Sequence, residues 1–378
     1  MKMKRFFLVL LAMLLVLSVF TACDDDDDSS SSDSSDSIIE VSTVNGLSTA
    51  LKEDGATVRL SKDIKMTSRI AAPGADVTLD LNGYTLSSSV SSSASITVTG
   101  SLTITGNGTI EKDSNYDSQM IYVNGGSLTI ESGTLVDEFY DLEEVYYSST
   151  SYFESLESMI YMSGGSITIK AGTFKAYGKC LLQSSGGTVV IEGGRFYSKL
   201  AYGVRLYLEN SSVAITGGNS SLGYYNKFYL SGCKGLDEGS AVEISGASFY
   251  TLYLIATDAI VNNSTISSSI AVSDGSSVTI ESGSFGTVYS SDGSHVTING
   301  GTCGTLSVSG TSSTTTSIEV YDGTFSGSLK TSGDNASITL YGGAYSANPA
   351  DYLADGYSYT ESTDDYGDPL YIVVSESS

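Results

Sequence analysis

A nine-residue phrase, Ser277-Val278-Thr279-Ile280-Glu281-Ser282-Gly283-Ser284-Phe285, recurs with variations through most of the chain. Other copies read Ser127-Leu128-Thr129-Ile130-Glu131-Ser132-Gly133-Thr134-Leu135 and Ser166-Ile167-Thr168-Ile169-Lys170-Ala171-Gly172-Thr173-Phe174. A third reads His295-Val296-Thr297-Ile298-Asn299-Gly300-Gly301-Thr302-Cys303. Alternating apolar and polar residues describe a half-buried strand; the Gly is a turn and the last residue a core anchor. The first apolar residues of the copies are Val77, Leu102, Leu128, Ile167, Val189, Val213, Val242, Ala259, Val278, Val296, Ile318 and Ile338. Successive copies lie 17 to 29 residues apart, apart from one interval of 39 between Leu128 and Ile167.

A second strand precedes most copies, as in Ile121-Tyr122-Val123, Ile160-Tyr161-Met162, Leu206-Tyr207-Leu208, Phe228-Tyr229-Leu230 and Leu252-Tyr253-Leu254. Two short strands and a Gly corner in every repeat close economically in one way. That way is a single-stranded parallel β-helix, each strand pairing with its copy one coil away. The expected fold is therefore all-β, a solenoid of about twelve coils, or ~55 Å at the usual strand spacing. Leucine-rich repeats would need a Leu/Asn signature that is absent.

Residues 38–86 read as an N-terminal cap with opening strands, 87–346 as the repeats with an insertion at 137–158, and 347–378 as a C-terminal cap. Leu47, Ala50 and Leu51 share one face of a short helix predicted over Asn45–Glu53, followed by strands Val58–Leu60 and Val77–Leu81. A helix there covers the open core and raw edge of the stack. At the far end, Asn348-Pro349 starts a helical turn through Ala354, and Leu370–Val374 is a last strand.

The N-terminus predicts a compartment. Lys2, Lys4 and Arg5 precede an apolar run, Phe6–Val19, too short for a comfortable membrane span. Phe20-Thr21-Ala22-Cys23 follows and resembles a bacterial lipobox, with Phe20 where Leu is commoner. The resemblance implies that residues 1–22 are a lipoprotein signal peptide and that Cys23 is lipidated. Several acyl chains would then anchor the protein stably. Asp24–Ser37 contains only Asp and Ser and reads as a self-repelling tether, 23–37 with the lipidated Cys.

The formal net charge is −25. Without Lys2, Lys4 and Arg5 the mature chain holds 15 basic against 43 acidic residues, or −28. Such a surface repels nucleic acid, which is excluded as a partner. Cys180, Cys233 and Cys303 allow at most one disulfide, and Cys303 takes the slot that Phe174, Phe196, Phe249, Phe285 and Phe325 fill elsewhere.

Val77-Thr78-Leu79-Asp80-Leu81-Asn82-Gly83-Tyr84-Thr85-Leu86 resembles the opening strand of bacterial surface proteins with a pectin-lyase-like right-handed parallel β-helix. The repeat phrase resembles their adhesin-like repeats, and Asn348-Pro349-Ala350-Asp351-Tyr352-Leu353-Ala354-Asp355-Gly356-Tyr357 their closing motif. The resemblance covers most of residues 40–375. It implies right-handed coiling and a choice between polysaccharide lyases, hydrolases and adhesins.

Lyase and hydrolase chemistry in such proteins needs acids and bases converging on one outer face. The outward positions of the phrase read Thr103/Thr105, Thr129/Glu131, Thr168/Lys170, Val190/Glu192, Ala214/Thr216, Glu243/Ser245, Thr279/Glu281, Thr297/Asn299, Glu319/Tyr321 and Thr339/Tyr341. None is a paired Asp-Asp. Glu131, Lys170 and Glu192 share a column, which reads as charge compensation between strands. His295, the only His, reads as a turn residue without an acid–base partner. The Thr rows are too interrupted, at Val190, Ala214, Glu243 and Glu319, to be an ice-binding array. No catalytic residue is therefore assigned.

The middle residues of the preceding strands form an outward column: Tyr122, Tyr161, Leu182, Tyr207, Tyr229, Tyr253, Ala271, Tyr289, Ser307 and Lys330. Its six tyrosines are a candidate stacking platform for sugar rings, the plainer reading being β-propensity and mutual stacking. The insertion adds Phe139, Tyr140, Tyr146, Tyr147, Tyr152 and Phe153 among acidic residues, either a candidate binding loop or a plain surface excursion. Together these predict a non-catalytic, lipid-anchored cell-envelope protein, at the outer membrane or cell surface of a bacterium. It is expected to be a monomer that binds glycans or a host or neighbour-cell molecule, with no cofactor or metal. Nothing fixes carboxylates into a calcium cage. The alternatives are a polysaccharide lyase or hydrolase, and a passive spacer.

Overall fold

The computed structural model describes residues 38–112, 118–138, 158–177, 180–197, 205–222 and 227–376, all within one compact unit, Asp36–Ser378. Cys23, the signal segment, the tether and the insertion aromatics Phe139, Tyr140, Tyr146, Tyr147, Tyr152 and Phe153 lie outside the described residues.

The protein is nearly all β, a parallel β-solenoid of about 12 turns. The repeated phrase forms a 14-stranded sheet. Its register advances one coil at a time, pairing Val77 with Leu102, Leu102 with Leu128 and Leu128 with Ile167. The degenerate copy keeps step, with Ala259 between Val242 and Val278. The 39-residue interval leaves this ladder undisturbed, because the extra residues fall between strands Thr134–Glu138 and Ser158–Met162. The ends of the expected insertion thus belong to the sheet.

Three strands make each middle coil, as in Ser158–Met162, Ser166–Ile169 and Thr173–Tyr177. The Gly–x–Phe element, expected as a corner, is a strand in its own right. In later coils the third strand of one coil runs into the first of the next. Ser248–Ile255, Ser264–Ser273, Gly283–Ser291 and Thr302–Ser309 are each continuous, and irregularities after Phe249 and Ile266 let the chain bend without a loop. This merger explains the shorter repeat there.

Alternation places Leu128, Ile130, Ile167, Ile169, Val189 and Ile191 fully inside and the Thr or charged residues between them outside. The anchors stack along the axis. Phe174 and Phe196 are 5.2 Å apart and near-parallel, and Phe325 lies 4.8 Å from Tyr345. The coil after Phe196 carries Asn219–Leu222 with shifted register, and Phe228, from the neighbouring strand, fills the space by stacking on Phe249 at 3.8 Å. Cys303 sits in register between Phe285 and Phe325, as its place in the phrase predicts. Buried hydroxyls at the turns pair with each other, as Ser184 does with Ser211 at 2.8 Å. Gly165 turns one corner at φ 92°, where a Cβ would collide with the Gly126 carbonyl one coil below.

Both ends are closed. Strand Ile38–Val41, not anticipated, pairs with Thr57–Leu60, and the helix between them spans Val44–Ala50 rather than Asn45–Glu53. Thr43 caps it by accepting from Gly46 N–H at 3.1 Å, and Leu47, Ala50 and Leu51 are buried as predicted. At the other end a 3₁₀ turn, Ala350–Tyr352, leads into an antiparallel hairpin, Tyr357–Thr363 with Pro369–Ser375. Only its second strand was expected. That strand also pairs antiparallel with Ala344–Tyr345, so the hairpin covers the last edge. No described helix is long and apolar enough to cross a membrane.

Candidate functional site

The tyrosine column exists as a register, with one correction. Thr97 pairs with Tyr122, Tyr122 with Tyr161, and Tyr161 with Gln183, not Leu182. Leu182 lies between Ile160 and Leu206 and is fully buried. Three consecutive apolar residues, Cys180-Leu181-Leu182, obscure the alternation there, and burial of both neighbours decides it. Beyond Gln183 the column continues through Tyr207, Tyr229, Tyr253, Ala271, Tyr289, Ser307 and Lys330.

Along the column three pairs of neighbouring rings are in contact. Tyr122 and Tyr161 stack at 5.5 Å, Tyr207 and Tyr229 are tilted at 6.0 Å, and Tyr229 and Tyr253 are almost parallel at 4.3 Å. A ring whose faces are taken by its neighbours presents edges and hydroxyls to solvent. Some hydroxyls are also engaged: Tyr122 Oη contacts Ser163 Oγ at 2.7 Å, and Tyr207 donates to Glu209 at 3.0 Å. Open faces therefore remain where the column is interrupted at Ala271, and at its ends.

A second feature was not anticipated. A groove of about 590 Å³ crosses successive coils, lined by Asn107, Ser132, Thr134, Thr173, Arg195, Asn219 and Ser248. Its course follows the corner column Gly133, Gly172, Gly194 and Gly218, where missing side chains leave a trough. Gly194 has φ 107°, so a larger residue there is strained as well as obstructive. The signal was present as Gly at one fixed place in eight of the twelve phrases, which reads as a turn until the corners are stacked. Its hydroxyl, amide and guanidinium groups suit a polar chain laid along the axis.

On the phrase face, Lys170 Nζ meets Glu131 Oε1 at 3.0 Å, both half-exposed. The hydrogen bond to Glu131, then its charge and the weaker field of Glu192, hold the Lys170 pKa above its usual value against slight desolvation. This is the compensated column expected of a parallel ladder. Near the C-terminal end Tyr321 and Tyr341 stack at 4.8 Å, with Tyr357 edge-on to Tyr341 at 5.5 Å. These tyrosines form a second aromatic patch.

His295 is not isolated, contrary to expectation. Register sets it beside Ser317 and Thr297 beside Glu319. Nδ1 lies 2.6 Å from Ser317 Oγ, and Nε2 is 3.2 Å from Thr297 Oγ1 and 4.0 Å from Glu319. The trio contains the residue types of a hydrolytic triad. Yet the amides flanking the hydroxyl are used by the ladder, His295 N–H bonding Ser276 O and Ser317 N–H bonding Ser294 O. Donors spent on the ladder are not aimed at a developing oxyanion. The arrangement works as a cross-strand tie.

Among the described residues, no three His, Cys, Asp or Glu side chains are grouped to share a metal ion. Cys233 and Cys303 are buried thiols; burial raises both, Cys303 to about 12. No protein-family model matches the chain, and neither a curated protein nor a solved structure matches it.

Proposed function

We propose that the protein is a non-catalytic adhesion module of a bacterial cell envelope, anchored through lipidated Cys23 and binding carbohydrate on the outer face of its solenoid. The observation that carries this reading is the column from Tyr122 to Tyr289, in register on one outward face with phenol rims and an interruption at Ala271 that leaves ring faces open. Aromatic faces beside hydroxyls suit sugar rings, which are apolar on their faces and polar at their rims. The resemblance to pectin-lyase-like surface lipoproteins points to right-handed coiling and the same role. The acidic surface and tether suit a soluble body held off a membrane.

Immobilised-glycan binding tests the reading with the wild type and two pairs, Tyr161→Ala/Tyr207→Ala and Tyr253→Ala/Tyr289→Ala. Loss of signal in at least one pair is expected; equal signal in all three proteins removes the column from the mechanism. Protease accessibility on intact cells tests surface display. The rival reading, a polysaccharide lyase or hydrolase, requires new reducing ends or unsaturated products from acidic glycans incubated with calcium.

A further inference from the structure

The tyrosine column is interrupted once by an alanine. We infer that the gap over Ala271, between Tyr253 and Tyr289, is a slot for one neutral pyranose ring whose hydroxyls are all equatorial, the gluco configuration. The inference rests on the carbohydrate reading above and gives it a site and a stereochemistry.

Ala271 is in register with Tyr253 on one side and Tyr289 on the other. One face of Tyr253 is covered by Tyr229, with planes 3° from parallel, so its other face looks along the solenoid towards Ala271. A methyl group is too short to cover it. Tyr289 is 36% exposed and, among the described residues, has no hydrogen bond or ring contact. The two walls are two strand spacings apart, about 9.6 Å, so a ring centred over Ala271 lies about 4.8 Å from each. Tyr321 and Tyr341 stack at that distance, 4.8 Å, and Tyr229 and Tyr253 at 4.3 Å. The ligand ring takes the place a tyrosine holds in neighbouring coils.

The ends of the slot are polar. Ile270 and Val272 are buried, so Ser269 and Ser273 share the outward face with Ala271. Among the described residues neither side-chain hydroxyl is engaged in a hydrogen bond. The slot thus has aromatic walls, a methyl floor and a free hydroxyl at each end.

A pyranose with only equatorial hydroxyls turns C–H groups to both faces and hydroxyls to its rim. It meets both walls with apolar surface and both ends with hydrogen-bonding groups. An axial hydroxyl, at C4 in galactose or C2 in mannose, presses a polar group against a phenol face and leaves it unpaired. Uronic acids are opposed by the net charge of −25.

The test titrates the full chain with methyl β-D-glucopyranoside, and with the galacto and α-manno glycosides, following the ring C–H proton resonances of each probe. Ring currents from two walls shift the axial protons of the gluco probe upfield. Affinity for the other two is expected to be at least tenfold lower. Ala271→Tyr fills the gap with a residue that strands favour and abolishes the shift. Tyr122→Ala, several coils away, leaves it intact. No shift in the wild type, a shift that persists in Ala271→Tyr, or equal binding of the three glycosides overturns the slot. Immobilised-glycan binding lost only in Tyr161→Ala/Tyr207→Ala also overturns it while leaving the carbohydrate reading standing. A wild type that binds neither an immobilised glycan nor any of the three glycosides defeats that reading as well.

Discussion

Tyr229 and Tyr253 lie one coil apart with ring centroids 4.3 Å from each other and planes within 3° of parallel. Both are half-buried on the outer face, so their contact is a surface stack that the backbone register enforces. A double-mutant cycle on Tyr229→Ala and Tyr253→Ala should return a coupling of about 0.5–1.5 kcal/mol in urea unfolding. Additive single effects would show that the register, and not ring contact, holds the two phenols together.

Inside the solenoid the aromatic anchors carry more. Phe196 is 1% exposed and contacts Phe174 and Phe228. Phe196→Ala empties a site that neighbouring coils cannot collapse around, because the backbone ladder fixes their spacing. The expected cost is about 3–5 kcal/mol. Cys303→Ala, at the equivalent place between Phe285 and Phe325 in the ladder, removes only a thiol group. Its midpoint in urea should shift far less than that of Phe196→Ala. Comparable shifts would mean that the anchor column does not act as a graded set of core sites.

How much of this was legible follows from what alternation encodes. A strand with strict apolar–polar period declares both its core face and its neighbours, so the ladder from Val77 to Ile338 could be written down by spacing alone. Where the period was blurred, as at Cys180-Leu181-Leu182, the column slipped by one residue. Contacts that need side-chain torsions as well as register stayed hidden. Tyrosines in one column could have splayed into solvent; the ring contacts that neighbours make, near-parallel at Tyr229 and Tyr253, depend on χ angles that no spacing records. The His295–Ser317 contact crosses 22 residues and becomes visible only when two coils are laid side by side. Tyr357–Thr363 carries mostly polar, exposed residues, so nothing marked it as one arm of the closing hairpin.

The compensated charges make a prediction that depends on salt. Lys170 stands between Glu131 and Glu192, with its ammonium on Glu131 at 3.0 Å. Lys170→Glu would stack carboxylates on successive strands, a destabilising arrangement. Its melting temperature should fall below that of the wild type at low ionic strength and recover as salt rises, since the Debye length shrinks to ~3 Å at 1 M. Lys170→Gln should show little of this dependence. A deficit in Lys170→Glu that salt leaves unchanged would place the cause in packing rather than charge.

Alkaline pH should destabilise the fold through groups that are buried protonated. Burial lifts the Cys303 thiol from 9.0 to about 12 and raises Cys233 as well. The Tyr345 phenol is pushed up first by burial and then by the nearby Asp322 carboxylate, and it donates to Gly342 O at 2.8 Å. Well below pH 9 both folded and unfolded chains keep these protons, so their contribution to stability is fully present. Above pH 9 the unfolded chain releases thiol protons that the folded chain retains, followed near pH 10 by the phenol proton of Tyr345. The unfolded state then binds fewer protons, and the unfolding free energy falls as pH rises. The limiting slope is about 1.4 kcal/mol per pH unit for each group that titrates only when unfolded. Urea unfolding measured from pH 7.5 to 11 should be level at first and decline from about pH 9, where unperturbed thiols titrate. The decline should be shallower in Cys233→Ala/Cys303→Val. In Tyr345→Phe the early part should persist, because the thiols remain, while the steepening above pH 10 is lost. Parallel curves for all three proteins would assign alkaline loss to the exposed tyrosines and the net charge, and would remove burial of these groups as its cause.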